Sequence, residues 1–447
     1  MNFPKISVYL ILLVGIILRL SLFAISPPNN SFDNHLEVIK IYANSNERPM
    51  PNDCWECYQP PIYYFIASKV LNISEKITNN NYLSWKIVQL INTILSILVL
   101  IIMYKIMTFL DLSIKSKMTY LSFLCLLPID IFTSSMIGND YLLTFSTVLT
   151  LYYYLKIKEY LKVQNTIPYL NLCLLSFFVI MGSNIKQHGL LLLLLPCFIV
   201  LYYIVKKSKR EITVIITFIV VILILSFGEE YWKFYHTGKF LVSNQDFFDY
   251  AKNQIPGSIN LVEFNTFRIV ELFKNPFLSK ETASSFFSEL FARTFFDYEW
   301  RFLSPRITVG IFLGRFAFLI GLIWILFFGI TTFIGIKRIN VKQHLLNVRS
   351  LLFICLPILG ILFFLVPLIQ TLRYPYYSSM KSTFILPGIF VFIIAHSLFT
   401  KQIRFPTKLN GFIIFFNFLY STFLIFTIGY YFDIVINHLS GPIWPIP

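Results

Sequence analysis

Apolar runs long enough to cross a lipid bilayer recur along almost the whole chain, which leaves room for little but a helical membrane fold. A bilayer core takes about 20 mostly apolar residues per helix. A window of that size picks out eleven runs, at 6–24, 87–104, 118–136, 139–155, 168–183, 188–205, 212–228, 307–335, 350–370, 380–398 and 410–430. Two neighbouring pairs are nearly continuous. They part at Gly138-Asn139-Asp140 and at Gly182-Ser183-Asn184-Ile185-Lys186, polar stretches that suit hairpin tips at a membrane surface. Hydrophobic residues make up 56% of the 447 and charged residues 13%, which excludes a disordered chain, a coiled coil, a collagenous repeat and a disulfide-stapled secreted scaffold. The expected fold is an all-α polytopic membrane domain over 1–447 with about eleven transmembrane helices.

Charge sets the expected orientation, because Lys and Arg are retained in cytoplasmic loops. With the N-terminus cytoplasmic, the inner segments carry 18 of the 37 basic residues and three acids, Asp111, Glu159 and Glu211. The outer segments hold 19 of each sign, so the whole net charge of +15 lies inside. The basicity is a topology signal, and nucleic acid is not an expected partner. The first run is read as a retained helix rather than a cleaved signal peptide, since Arg19 interrupts it and no small-residue cleavage site follows.

The inner connections are short, whereas two outer loops are long, at 25–86 and 229–306. Long loops in a compact protein are usually functional. In the first, Ser31 suits a helix N-cap, placing Asp33 in the first turn and Glu37 on the same side of the helix. Leu36, Ile39 and Ala43 form an apolar stripe that suits a helix lying on the membrane surface. By spacing alone, Asp33 is equally well explained as a helix-start residue. Further on, Pro60-Pro61 gives an extended approach and then a helix start, followed by the interfacial aromatics Tyr63, Tyr64 and Phe65.

Cys54 and Cys57 form a CxxC pair in this loop, and a local disulfide is favoured over metal or redox chemistry. A zinc site would need two more ligands, for which His35 and Glu56 are the candidates. The second loop is dense in aromatics with interspersed charge, as in 227–239 and 286–296, which suits either a surface helix over a lipid entrance or a structural lid.

Charges at membrane depth are functional candidates. Asp130, Asp140, Lys186, His188, Arg373 and Lys381 fall at span ends that the expected topology brings to the outer boundary, together with Asp33. Cations there can hold a phosphate through charge-assisted hydrogen bonds, although ordinary snorkelling explains any one of them.

An acid just past the first helix, then a Pro-Pro-aromatic segment on the same outward loop, resembles the GT-C membrane glycosyltransferases. The likeness is closest to the family 39 group of protein mannosyltransferases and aminoarabinose transferases. Its carriers are Phe32-Asp33-Asn34-His35, Tyr58-Gln59-Pro60-Pro61-Ile62-Tyr63-Tyr64, Asn139-Asp140 and the Lys186 region. The resemblance implies transfer of a sugar from a polyprenyl-phosphate carrier to an acceptor on the outer or lumenal face. Asp33 matches the acid that serves as base, and Asp140 a second acid near the site. Lys186, Arg373 and Lys381 are the expected phosphate ligands, with Gln59, His35 and Glu37 completing the substrate-binding set. Asn34 stands where many relatives have Glu, and Gln59 where they often have His or Lys, so the chain departs from the family at two positions.

The expected activity is therefore glycosyl transfer to a glycolipid, an envelope glycan or a protein, with a flippase or polymerase of lipid-linked saccharides as the alternative. No metal or other cofactor is specified, and a divalent ion stays an open alternative. The expected location is a bacterial or archaeal cell membrane with the site outward, the alternative being the endoplasmic reticulum.

Overall fold

An apolar run in lipid has no water to satisfy its backbone, so it closes its hydrogen bonds internally as a helix. The computed structural model describes residues 3–45, 47–163, 168–206, 209–249, 253–302, 308–338, 348–401, 429–431 and 434. Among them the regular structure is helical, with an isolated bridge between Pro256 and Tyr376. The helices run α1 (Phe3–Ile25), α2 (His35–Ser45), α3 (Ile62–Thr78), α4 (Asn81–Phe109), α5 (Ile114–Leu126), α6 (Pro128–Ser134), α7 (Asp140–Val163), α8 (Tyr169–Ser183) and α9 (Leu194–Lys206). They continue with α10 (Lys209–Thr237), α11 (Leu261–Asn265), α12 (Ile269–Lys274), α13 (Lys280–Ala283), α14 (Phe286–Phe295), α15 (Thr308–Arg338), α16 (Val348–Arg373) and α17 (Leu386–Lys401).

Seven segments among the described residues are long and apolar enough to cross a membrane: Ile6–Ile25, Asn81–Phe109, Gln187–Ile204, Ile212–Thr237, Thr308–Ile334, Ile354–Arg373 and Tyr377–Lys401. The chain is an integral membrane protein, and these seven segments overlap seven of the eleven expected runs. The run 118–136 is broken at Pro128 into α5 and α6. The run 139–155 lies in α7, which extends to Val163 through a more polar second half. The run 168–183 forms α8, whose 15 residues rise only roughly 22 Å. The run 410–430 lies, except for its last two residues, outside the described residues. The second long loop also starts later than expected, because α10 runs on to Thr237. Lys233 sits 3.6 Å from Glu229 and 2.9 Å from Glu230, so these charges pair on the helix itself. The helix then stops at Gly238, whose φ of +70° suits a residue without a side chain.

The break between α5 and α6 has a specific remedy. Proline has no N–H, so the Leu124 carbonyl lacks the donor that residue 128 would supply in a continuous helix. The Arg19 guanidinium donates to the Leu124 carbonyl at 3.3 Å and the Cys125 carbonyl at 3.2 Å. It also pairs with Asp130, which in turn accepts from the Tyr141 hydroxyl. Arg19 and Asp130 are both fully buried, so Asp130 is enclosed by protein and committed to this pair. A second irregular stretch, 135–139, is held together with the last carbonyl of α6 by the polar face of α4. The Gln89 amide donates to the Ser135 carbonyl at 2.5 Å, Asn92 to the Met136 and Gly138 carbonyls at 2.7 Å each, and Thr93 to the Ser134 carbonyl at 2.9 Å. Non-helical backbone is tolerated at membrane depth only when protein satisfies it in this way.

The first long loop is folded against this frame rather than spread on lipid. Leu36, Val38, Ile39 and Tyr42 of α2 pack with Tyr63, Tyr64 and Leu71 of α3, Trp85 and Val88 of α4, and Ile137, Leu142 and Ile185. The stripe expected to face the membrane surface is thus turned into the protein.

Removing one partner of a buried ion pair leaves the other charge stranded, at a cost of about 3–5 kcal/mol. Arg19→Met is therefore expected to lower the thermal unfolding midpoint in detergent markedly. Adding Asp130→Leu should recover much of the loss, and equal midpoints for wild type and Arg19→Met would show that the pair does not brace the break.

Candidate active site

The charged residues at one end of the bundle are brought in by four turns. Asp33 does not sit in a helix: α2 begins at His35, and the Ser31 hydroxyl donates to the Asp33 carbonyl at 2.6 Å instead of opening a helix there. The side chain is therefore aimed by the loop, and its relation to Glu37 is not the helical one expected. Asp140 opens α7, where the free backbone N–H groups favour a negative charge. Lys186 lies in extended backbone (φ −154°, ψ 143°) before the 3-10 turn Gln187–Leu193. That hairpin closes backbone on backbone, since a Cβ on Gly189 would lie 2.0 Å from the Gly182 carbonyl oxygen. Lys381 precedes the 3-10 turn Ser382–Ile385.

These turns converge as two ion pairs, one buried (Lys186–Asp140) and one partly buried (Lys381–Asp33). Lys381 pairs with Asp33, and Lys186 Nζ lies 2.5 Å from Asp140 Oδ1. The Lys186 ammonium also sits 5.0 Å above the Phe384 ring, which ties it to the Lys381 turn. His35 Nδ1 is 2.8 Å from the Tyr64 hydroxyl, and a Cβ on Gly138 would fall 3.1 Å from the imidazole ring. The disulfide between Cys54 and Cys57 closes a turn that carries Glu56 and leads to Gln59. Gln59 Nε2 donates to Glu56 Oε2 at 3.1 Å and to the Tyr58 hydroxyl at 2.7 Å. Its carbonyl oxygen accepts from Asn139 at 3.4 Å, next to Asp140. Gln59 thus connects the first loop to the start of α7.

The second loop closes the other side. The Asn30 amide donates to the Arg301 carbonyl at 3.3 Å, and the Arg301 guanidinium lies 5.7 Å from the Phe32 ring. Glu299 pairs with Arg293 and lies 3.4 Å from Arg301. Its field reaches Lys381 and Asp33, so an alternating series of charges runs from Asp33 through Lys381 and Glu299 to Arg293.

Three ionisable groups of the first loop are pushed apart. Burial opposes the charged form of Asp33, but the Lys381 ammonium, and beyond it Lys186, overrides burial and holds the carboxyl at about 2. Burial drives His35 down to about 4 despite the carboxylates of Asp33 and Asp140, so its imidazole is neutral. Glu56 is raised to about 8, first by burial and then by the Asp33 charge. The arrangement offers an ionised carboxylate, a neutral carboxyl and two ammonium groups within one buried cluster.

Of the expected site residues, Asp33, His35, Gln59, Asp140, Lys186 and Lys381 come together. Glu37 accepts from the Asn34 amide at 3.2 Å and is bound into the loop. Arg373 does not join them: it is exposed and pairs with Asp246 at 3.0 Å. His188 is set between the Phe363 and Phe384 rings. Glu56 was expected only as a metal-ligand candidate, Arg293 only as part of the aromatic-rich stretch 286–296, and Glu299 and Arg301 were not expected at the site. The run Asp297-Tyr298-Glu299-Trp300-Arg301, alternately charged and aromatic just before an apolar span, is the signal that points to them. Among the described residues no group of three or more His, Cys, Asp or Glu is arranged to hold a metal ion. A separate apolar cavity lies between Leu126, Pro128, Phe295, Phe316 and Trp324, with no charged side chain on its wall.

No family model and no curated protein matches the chain. Among solved structures it is similar to ArnT from Cupriavidus metallidurans. The crystal structure bound to undecaprenyl phosphate aligns over 88% of this chain and 78% of that one, at 12% identity and a TM-score of 0.38. The apo structure aligns over 89% and 77%, at 12% identity and a TM-score of 0.37.

Lys381→Met would leave Asp33 buried without its counter-ion, so its carboxyl should take up a proton at higher pH than in wild type. Carbodiimide coupling to Asp33, which requires the protonated acid, is expected to persist to higher pH in the variant. An unchanged pH dependence, mapped by mass spectrometry, would show that Lys381 does not set the charge of Asp33.

Proposed function

We propose that this chain is a membrane glycosyltransferase of the GT-C type, which moves a sugar from a polyprenyl-phosphate donor onto a hydroxyl acceptor, with Asp33 as the base. The observation that carries the reading is the paired arrangement Asp33–Lys381 and Asp140–Lys186, largely shielded from solvent at one end of the bundle where both long loops meet. A carboxylate beside two ammonium groups suits a reaction that takes a proton from one reactant and leaves a phosphate on the other.

The acceptor hydroxyl attacks the anomeric carbon while its proton passes to Asp33. The bond from that carbon to the phosphate oxygen breaks, and the electron pair stays on the phosphate. Lys186 and Lys381 meet the charge that develops there. Both lysines already hold carboxylates, so an arriving donor phosphate competes with Asp33 for Lys381. That exchange frees the carboxylate and makes it more basic, since its low proton affinity comes from Lys381. Asp140, at the N-terminus of α7, keeps Lys186 in place.

The concentration of basic residues in the short loops supports a site on the outer face, and the Cys54–Cys57 disulfide supports an oxidising compartment. We place it on the outer side of a bacterial or archaeal cell membrane, acting on a glycolipid, an envelope glycan or a protein. The transporter reading draws on the helix break at Pro128, since broken helices mark transport sites. There, however, Arg19 and Asp130 are fully buried and engaged with backbone and Tyr141, which suits bracing rather than passage.

The test uses purified protein, a panel of labelled polyprenyl-phosphate sugars, and lipid and envelope extract as acceptor. Wild type is expected to release polyprenyl phosphate as label enters a product. Asp33→Asn should lose about 10²–10⁴-fold in turnover while folding normally. Full turnover in a folded Asp33→Asn protein would sink the base assignment, and no release from any donor would sink the transferase reading.

A further inference from the structure

Three carboxyl groups from the first loop and α7 meet in the site, and the transfer described above uses two of them. Asp33 and Asp140 each hold a lysine. Glu56 is more deeply buried than either, with 3% of its surface exposed, and forms no ion pair among the described residues. Its carboxyl instead accepts at Oε2 from the Gln59 amide, which leaves the other oxygen to carry a proton. Its position is fixed on both sides in sequence. The Cys54–Cys57 disulfide closes its turn, with the Cys57 N–H donating to the Cys54 carbonyl at 3.1 Å, and the Gln59 N–H donates to the Glu56 carbonyl at 3.1 Å.

The surroundings decide the charge of this group. Asp33 faces it from the segment before α2, Lys186 from the α8 hairpin, Lys381 from the turn before α17, the Tyr58 hydroxyl from the turn before α3 and the Tyr64 hydroxyl from the start of α3. Both ammonium groups are committed to other carboxylates, and Asp33 presents a like charge. Burial and that charge keep the Glu56 carboxyl protonated up to about pH 8. Two carboxyls with divergent proton affinities in one site are the usual mark of divided roles in glycosyl chemistry.

We propose that Glu56 is a catalytic residue of the transfer, a neutral carboxyl that donates a hydrogen bond to the phosphoryl oxygens of the departing polyprenyl phosphate. The assignment rests on the transferase reading and deepens it. Through the step the acceptor's O–H bond breaks and its proton goes to Asp33. The acceptor oxygen bonds to the anomeric carbon, and the bond from that carbon to the phosphate breaks with its electron pair. The donor phosphodiester carries one negative charge and the released monoester gains a second, while the Glu56 proton stays on Glu56. A neutral donor strengthens its bond as that second charge grows, whereas an ionised Glu56 would repel it. The benefit is greater in the transition state than in the bound donor, so it falls on kcat rather than on donor KM.

The experiment measures kcat and donor KM against pH for wild type, Glu56→Gln and Glu56→Leu with a polyprenyl-phosphate sugar that the wild type uses. The sign follows from the proton: Glu56 donates below about pH 8 and cannot above it, so wild-type kcat should fall as pH rises through that value. Glu56→Gln keeps an N–H donor that does not ionise, so it should retain most of the neutral-pH kcat and lose the alkaline fall. Glu56→Leu should lose about 10²–10³-fold in kcat at nearly unchanged donor KM. An alkaline fall that persists in Glu56→Gln would overturn the assignment, as would a wild-type kcat in Glu56→Leu. If Glu56→Leu does not elute as a folded species with the disulfide intact, the Glu56→Gln profile decides alone. Wild type that turns over no donor removes the transferase reading and this role together, whereas active wild type with an unaltered Glu56→Gln profile removes only this role.

Discussion

The ion pair between Asp33 and Lys381 joins positions 348 residues apart and is the contact on which the site depends. It fastens the first loop to the last described hairpin, so the groups that loop carries are presented toward the end of α16 and the start of α17. Around it the other contacts fall into register: Lys186 on Asp140, Phe384 under Lys186, and Glu299 within reach of Lys381. A buried pair is a poor source of net stability, because desolvation offsets most of the attraction. Its retention at such a place is better explained by what it holds ready. Each cation is parked on a carboxylate, and an arriving phosphate can take it.

The same economy governs the membrane frame. Polar side chains are spent where the backbone is interrupted, at the α5–α6 break and along 135–139, and in both places they meet carbonyls that a helix would otherwise satisfy. These two interruptions matter for the site because Asp140 follows the second directly. The polar face of α4 fixes the stretch that leads into α7, and therefore fixes where its first residue points.

How much of this was legible in the sequence depends on the kind of signal. Apolar run length located helices at every expected span within the described residues, because length and hydropathy report directly on burial in lipid. It failed where a run stays apolar through a break, as at Pro128, and where charges cancel inside a helix, as Glu229, Glu230 and Lys233 do in α10. Residue type and order marked Asp33, Asp140, Lys186 and Lys381 as candidates, and these meet. Arg373 carried the same signal of a cation at a span end, yet Asp246 in the second loop claims it, and no local pattern announces a partner 127 residues away. Glu56 was legible as a residue but not as an acid, since its proton affinity is created by burial and by Asp33. The Ser31 helix-start signal misled because the chain bends twice more before its backbone turns helical at His35.

The contact of Gly189 on Gly182 bears on how this protein can change over time. Because main chain meets main chain there, the seat of Lys186 does not hang on the shape of any large side chain in α8 or α9. The outward faces of those helices, which include Leu170, Phe177, Leu201 and Ile204, are exposed to the apolar surroundings and can exchange one greasy residue for another. Sequence can therefore drift across these surfaces while the ammonium group stays at its station, and the hairpin glycine at 189 is the position where such drift must stop.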